Sequence, residues 1–359
     1  MLPFCRLTEA MISEDAYYFL QAFFKTHPEY LKKPLYITAE SYGGHYAPAI
    51  AHKIFMNNKD LKEGMLHLNL AGMAVGNGLT NPPEQYKFYN KMAYGENSHG
   101  IKVVDKATHE VMKEGLIPCE LLAKGCNEGN GFVSDAECRA GFLACNLSQI
   151  VPYVITGRSV YNMKKMCEHP PLCYDFSHIE TFMNKESTRE ALHVSKESGE
   201  WETCNFVSFE SQPNCFTLFQ SKIIYSNPLN SVSNLLIRCL QFVNFNFHGD
   251  WLKDFSGYVA DLLNADIPVL IYAGDLDYIC NYLGNRAWTL KLDWKSKDKF
   301  VSAGEHQWGT GTDGKSAGLA RTADGFTFLQ VYNAGHMVPL DKPTVALDMI
   351  KTFVTGGSF

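Results

Sequence analysis

Between Pro34 and Met56 the chain passes from a strand-like run to a helix-like one across a single short bend. Pro34-Leu35-Tyr36-Ile37-Thr38 has the length and branching of a buried strand, and Pro48 to Met56 reads as a helix. Only Ala39-Glu40-Ser41-Tyr42-Gly43-Gly44-His45 and two further residues lie between them. So tight a reversal demands strained backbone at the serine and small residues around it. Gly43 supplies one small position. Ala39 supplies the other, with a single methyl where a glycine would be freer.

The rest of the chain repeats the theme. An opening helix is expected, with Ser13 as N-cap, Glu14 and Asp15 in the first turn, and Ala16, Leu20, Phe23 and Phe24 on its apolar face; Pro28 stops it. Leu66 to Val75 reads as a strand ending in Gly76-Asn77-Gly78. Ile267 to Tyr272 leads into Asp275 and Asp277, and Phe326 to Tyr332 leads into His336. Short apolar strands alternating with helices predict the α/β class, a mostly parallel sheet with helices on both faces. In such sheets chemistry gathers at the carboxyl ends of the strands. A chain of 359 residues, 46% hydrophobic, can bury the core this needs. The sequence divides into an α/β core at 1–80 and 243–359, a helical insertion at 81–207 that lacks the strand rhythm, and a foreign segment at 208–242. That last segment has no Gly or Ala, one acid (Glu210) and no clean period. Loops of such length are uncommon in compact domains, so it is expected to be disordered and to be translated non-coding sequence.

Charge and apolar patterning exclude two classes. The net charge of −6, with no long basic run, argues against a nucleic-acid partner. The longest apolar stretches are strand-length, so no membrane span is expected. Met1 to Arg6 contains no apolar core of a secretory signal. Yet six of the 11 cysteines, Cys119, Cys126, Cys138, Cys145, Cys167 and Cys173, cluster in one loop-rich window, which favours disulfides over buried thiols. No Cys-x-x-Cys pair occurs, so a zinc site is poorly supported, and neither metal nor cofactor is expected. Asn146-Leu147-Ser148 is a candidate glycosylation acceptor. The sequence sets no oligomeric state.

A serine hydroxyl attacks a carbonyl only with an imidazole to take its proton, a carboxylate to orient that imidazole, and N–H donors for the oxyanion. Ser41, Asp277 and His336 lie on three strand-end loops, in the order that the α/β-hydrolase fold imposes. A lone serine turn occurs often by chance; three such loops in order do not. Four motifs extend the pattern: Glu-Ser-Tyr-Gly-Gly-His-Tyr at 40–46, Gly-Asn-Gly-Leu-Thr-Asn-Pro at 76–82, Tyr-Ala-Gly-Asp-Leu-Asp-Tyr-Ile-Cys-Asn at 272–281 and Gly-His-Met-Val-Pro at 335–339. Together they resemble the serine carboxypeptidases, over nearly all of the chain outside 1–6 and 208–242.

The resemblance implies a hydrolase that removes C-terminal residues of peptides and proteins. It casts Ser41 as nucleophile, His336 as general base, Asp277 as the orienting carboxylate and Asp275 as a turn residue. The Tyr42 N–H would be an oxyanion donor, and Glu40 would hydrogen-bond the substrate's free carboxylate. Two facing carboxyls must share a proton, which implies a preference for acid pH. Cys280, Met337, Tyr86, Tyr89, Tyr161 and Tyr174 would contribute to the substrate pocket. The resemblance also implies the pairs Cys119–Cys145, Cys126–Cys138 and Cys167–Cys173, and leaves Cys204 without its partner. It implies a vacuolar or secreted protein. Family members carry roughly a hundred residues more before the serine turn, about a small domain; these include the first sheet strands and a glycine-rich oxyanion segment. The chain is therefore expected to be an N-terminally incomplete form, catalytically weakened or inactive, with a catalytically silent fragment as an alternative reading. The same superfamily contains acyltransferases that use sugar-ester donors, but their serine turn commonly reads Asp-Ser-Tyr-Ser-Gly, and Glu40 with Gly43-Gly44 favours the peptidase.

Overall fold

In the computed structural model, which describes residues 8–170, 172–203, 247–310 and 315–359, the strand before the serine runs Leu35–Glu40 (β1). The following helix, Gly43–Lys59 (α2), starts five residues earlier than the apolar pattern indicates and carries Pro48 inside its first turns. The segment 208–242 and Cys204 lie outside the described residues.

The helix before β1 spans Glu9–Thr26 (α1), and its N-cap is Thr8. Ser13, expected to cap it, lies within the helix instead; its hydroxyl donates to the Ala10 carbonyl at 3.1 Å. Interior back-bonding of this kind mimics a cap in sequence. Glu9, Ser13, Tyr17, Gln21 and Phe24 are buried, so the inward stripe is partly polar, and Phe23 lies outside it. Gln21 explains its own burial: its amide brackets Leu66, donating to the carbonyl at 2.7 Å and accepting from the N–H at 2.8 Å. The Leu68 N–H is likewise taken by Asn58 at 3.0 Å. The strand expected from Leu66 therefore begins only at Leu70 (β2, Leu70–Gly76).

Val269–Gly274 (β3), His306–Thr310 (β4), Ser316–Ala323 (β5) and Phe326–Val331 (β6) complete a six-stranded sheet in the order β1-β2-β3-β6-β5-β4. The first four in that order run parallel, as the alternation predicts. The last two are antiparallel and were not anticipated. Asp324-Gly325, both at positive φ, close the hairpin from β5 to β6, a two-residue turn matched to strand twist.

Successive residues of the inner strands point to opposite faces. Met73, Val75, Val269, Ile271, Phe326 and Phe328 pack beneath α2, Trp288 and Leu262; Ala74, Leu270, Leu329 and Val331 pack under Met349 and Phe353. A third core holds the helices Lys106–Glu128 and Gly131–Cys145, stapled by Cys119–Cys145 and Cys126–Cys138. These helices and the sheet belong to one compact unit, residues 8–166 with 247–359. Residues 167–203 form a second, smaller unit containing the Cys167–Cys173 disulfide and the helices Ser177–Met183 and Glu186–Ala191. All three pairs are those the resemblance implied. Among the described residues no helix is long and apolar enough to cross a membrane.

Candidate active site

Ser41 follows β1 directly and adopts a left-handed backbone, φ 63°. A branchless side chain at this φ is uncommon and costs roughly 1–3 kcal/mol, so the surroundings must hold it. They do so through the backbone: the Ser41 N–H donates to Gly76 at 3.1 Å, and its carbonyl accepts from Gly44 and Leu79, both at 2.9 Å. Glycine is required on the helix side. A Cβ on Gly43 would lie 2.5 Å from the Ala39 Cβ, and one on Gly44 would lie 2.6 Å from the Leu79 backbone nitrogen. The Ala39 methyl is accommodated because Gly43 has none. Ser41 is half-buried, and none of the described hydrogen bonds engages its hydroxyl. The Tyr42 N–H also donates to no described group.

Asp277 and His336 come from the loops after β3 and β6, and they meet. His336 Nδ1 and Asp277 Oδ2 are 2.8 Å apart, and the two residues are only 3% and 0% exposed. Burial disfavours the imidazolium, but the charge and hydrogen bond of Asp277, helped by the charge of Glu40, more than offset it and raise the His336 pKa. Asp277 is itself anchored. Its Oδ2 accepts from the Asn77 amide at 2.8 Å and its Oδ1 from the Ile279 N–H at 3.1 Å. Asn77 holds this position through a left-handed backbone, φ 44°, and through its N–H on the Tyr272 carbonyl at 2.7 Å.

Glu40, the last residue of β1, feels both partners. Burial pushes its carboxyl up to about 7; the His336 charge opposes the rise, and Asp277 and Asp341 add to it. Cys280 is buried and free, and burial, with the charges of Asp277 and Glu40, holds its thiol well above the usual range. Asp277, Cys280 and His336 present donor atoms within 4.8 Å of one another. Two of those atoms already share a hydrogen bond and the thiol stays protonated, so the set suits proton transfer better than a metal ion.

Comparison with known proteins gives this geometry a lineage. The family profile described as serine carboxypeptidase matches residues 5–237 and 236–356. The chain belongs to the serine carboxypeptidase family. Serine carboxypeptidase-like 47 of Arabidopsis thaliana is 36% identical over 351 residues, 98% of this chain and 60% of that protein. Carboxypeptidase Y of Candida albicans is 37% identical, over 96% of this chain and 55% of the relative, and that of Saccharomyces cerevisiae 36%, over 96% and 57%. The chain thus spans less than two thirds of the length of these relatives. Among solved structures, Kex1(delta)p, a prohormone-processing carboxypeptidase from Saccharomyces cerevisiae, superposes with a TM-score of 0.75 at 20% identity, over 98% of this chain and 68% of that one. The fold is accordingly the α/β-hydrolase fold, with a mixed, mostly parallel sheet.

In this member of the family the remaining expected site residues are placed in different surroundings. Tyr161 lies against the base: its ring centroid is 5.0 Å from that of His336, and its carbonyl accepts the His336 N–H at 2.7 Å. Met337 is half-buried, its carbonyl accepting from Leu340 and Asp341. Tyr86 and Tyr89, expected in the pocket, are instead core residues at 2% and 1% exposure. The Tyr86 hydroxyl accepts from Trp251 at 3.0 Å and donates to Asn146 at 3.3 Å, and Tyr89 bonds the Ile279 carbonyl. Pocket-lining and core aromatics look alike in sequence. Tyr174 belongs to the smaller unit, with its ring 5.9 Å from Phe176. The Asn146 amide nitrogen, the candidate glycosylation point, donates to the Phe142 carbonyl at 2.7 Å. Asp275 is the turn carboxylate, accepting from the Asn333 N–H at 2.8 Å.

Two contributors were not read from the sequence. Asn77 was visible only as the middle of a Gly-Asn-Gly strand end, with no cue to a partner 200 positions away. In the stretch Ser159 to Met163 only Tyr161 was singled out, for its ring, and the role of the backbone was missed. Val160 accepts the N–H groups of Tyr278 and Ile279 at 3.0 Å, Met163 donates to Leu276 at 2.9 Å, and Tyr161 accepts from His336. One short stretch therefore binds the acid loop and the base loop together.

Proposed function

We propose that the chain carries the machinery of a serine-type carboxypeptidase, removing C-terminal residues from peptides and proteins through an acyl-enzyme. Ser41 Oγ attacks the scissile carbonyl while His336 Nε2 takes its proton. The imidazolium then protonates the departing amine, and the acyl-enzyme is hydrolysed by water with His336 again acting as base. Asp277 fixes the tautomer that leaves Nε2 free. The Tyr42 N–H is one donor to the oxyanion. Glu40, in its acid form, donates to the substrate's terminal carboxylate. Because burial pushes Glu40 up to about 7, the clamp weakens as pH rises through that value and two anions come to face each other. Acid pH is the expected working range. Buried disulfides support residence in an oxidising compartment, the vacuole or the exterior.

The observation that carries this reading is the 2.8 Å Asp277–His336 pair at two strand ends, with Ser41 in a left-handed bend at the end of a third. The test is release of the C-terminal residue from a blocked dipeptide at about pH 5, with fluorophosphonate labelling of the soluble protein. Wild type should do both, and Ser41→Ala neither. Turnover confined to acyl-glucose donors, or folded protein whose Ser41 ignores the probe, would overturn it.

A further inference from the structure

Asp341 lies five residues beyond His336, at the end of the short helix Val338–Asp341, and none of the roles above uses it. Its Oδ2 accepts the Gly335 N–H at 2.7 Å, and its own N–H donates to the Met337 carbonyl at 2.9 Å. These two bonds close a ring of backbone around His336, one residue before it and one after. The turn is packed to its limit: a Cβ on Gly335 would lie 2.9 Å from the same Asp341 oxygen and would strike the Tyr161 carbonyl. The Asp341 charge also reaches Glu40, the last residue of β1.

We propose that Asp341 is a positioning residue, fixing the turn that presents His336 and setting part of the negative field that faces Glu40. The second half rests on the reading of Glu40 as the receptor of the substrate carboxylate; the first does not. The ionisable groups around Glu40 are His336, Asp277, Asp341, Cys280 and Tyr272. Of the carboxylates among them, Asp277 is committed to His336, so Asp341 is the one whose charge can be changed without dismantling the relay.

The experiment compares a blocked dipeptide, whose free carboxylate needs protonated Glu40, with the matching blocked ester, which has none. Asp341→Asn keeps an oxygen for the Gly335 N–H and removes the charge. It should move the alkaline limb of kcat/KM for the dipeptide to lower pH, while the ester profile keeps its alkaline limb. Asp341→Glu, which keeps the charge on a longer arm, should return the dipeptide limb to its wild-type position. Asp341→Ala removes the clamp and should lower kcat on both substrates by about tenfold with little change in KM. Folded Asn and Ala variants with wild-type limbs and wild-type kcat on both substrates would overturn the proposal. Glu40→Gln serves as the control: if it leaves the dipeptide limb in place, the reading of Glu40 fails, and the ester kcat of the Ala variant still decides the role of Asp341 in the turn.

Discussion

Glu40 and His336 lie close enough for the charge of each to bear on the proton of the other. They therefore titrate as a pair, and on the proposed reading activity needs the arrangement in which the one proton sits on Glu40. Glu40→Gln separates the two. In the working arrangement Glu40 is protonated and carries no charge, so a neutral amide should leave the acid limb of kcat in place. The amide persists above pH 7, so the alkaline rise in KM should vanish. A full pH profile checks both, and a variant that keeps the alkaline rise refutes the assignment. Asn77 makes a second case. Replacing it with Ala takes one donor from a fully buried carboxylate, a loss of about 1–3 kcal/mol, and should lower kcat on the order of tenfold or more with KM held. Ser41, Asp277 and His336 were legible because each ends a strand and each has a residue type that such loops rarely need otherwise. Asn77 was not, because an amide carries no mark of which distant group it will meet.

The turn between β1 and α2 is specified by a steric trade between two side chains. Ala39 has a methyl and Gly43 has none, and the space holds one. Gly43→Ala alone should cost about 1–3 kcal/mol by overpacking, and Ala39→Gly with Gly43→Ala should recover most of it. Thermal unfolding of the two single variants and the double variant measures the coupling; strict additivity would count against it. Among elements, β2, β3 and β6 were readable because they are largely buried on both faces, whereas β1, half-buried at the sheet edge, was readable from Leu35-Tyr36-Ile37 and the bend that follows it. The β4–β5 pair was not, since Ser-Ala-Gly-Leu-Ala-Arg-Thr-Ala looks like a loop, and the Asp324-Gly325 turn that joins β5 to β6 was not read as a hairpin signal. α1 was readable but its start was not, because a serine bonding backward within a helix resembles one capping it.

Across the molecule, buried acids set how stability depends on pH. Glu9 is raised from 4.5 to about 8 by burial and then by Asp250, and Glu40 to about 7. A carboxyl raised in the folded state binds its proton more tightly folded than unfolded. Its contribution is complete below the unfolded value of 4.5 and is lost as pH climbs through 7 and 8. The melting temperature should therefore fall between pH 5 and pH 8, and Glu9→Gln should flatten that slope; an unchanged slope would count against Glu9. The stretch Ser159 to Met163 has a different reach. Because the same few peptide groups hold both the proton acceptor and its orienting anion, shifting that stretch by an ångström would misalign the two together. On the proposed reading, loss of turnover then needs no change at the serine at all, and a mutation far from the reacting atoms acts through this stretch.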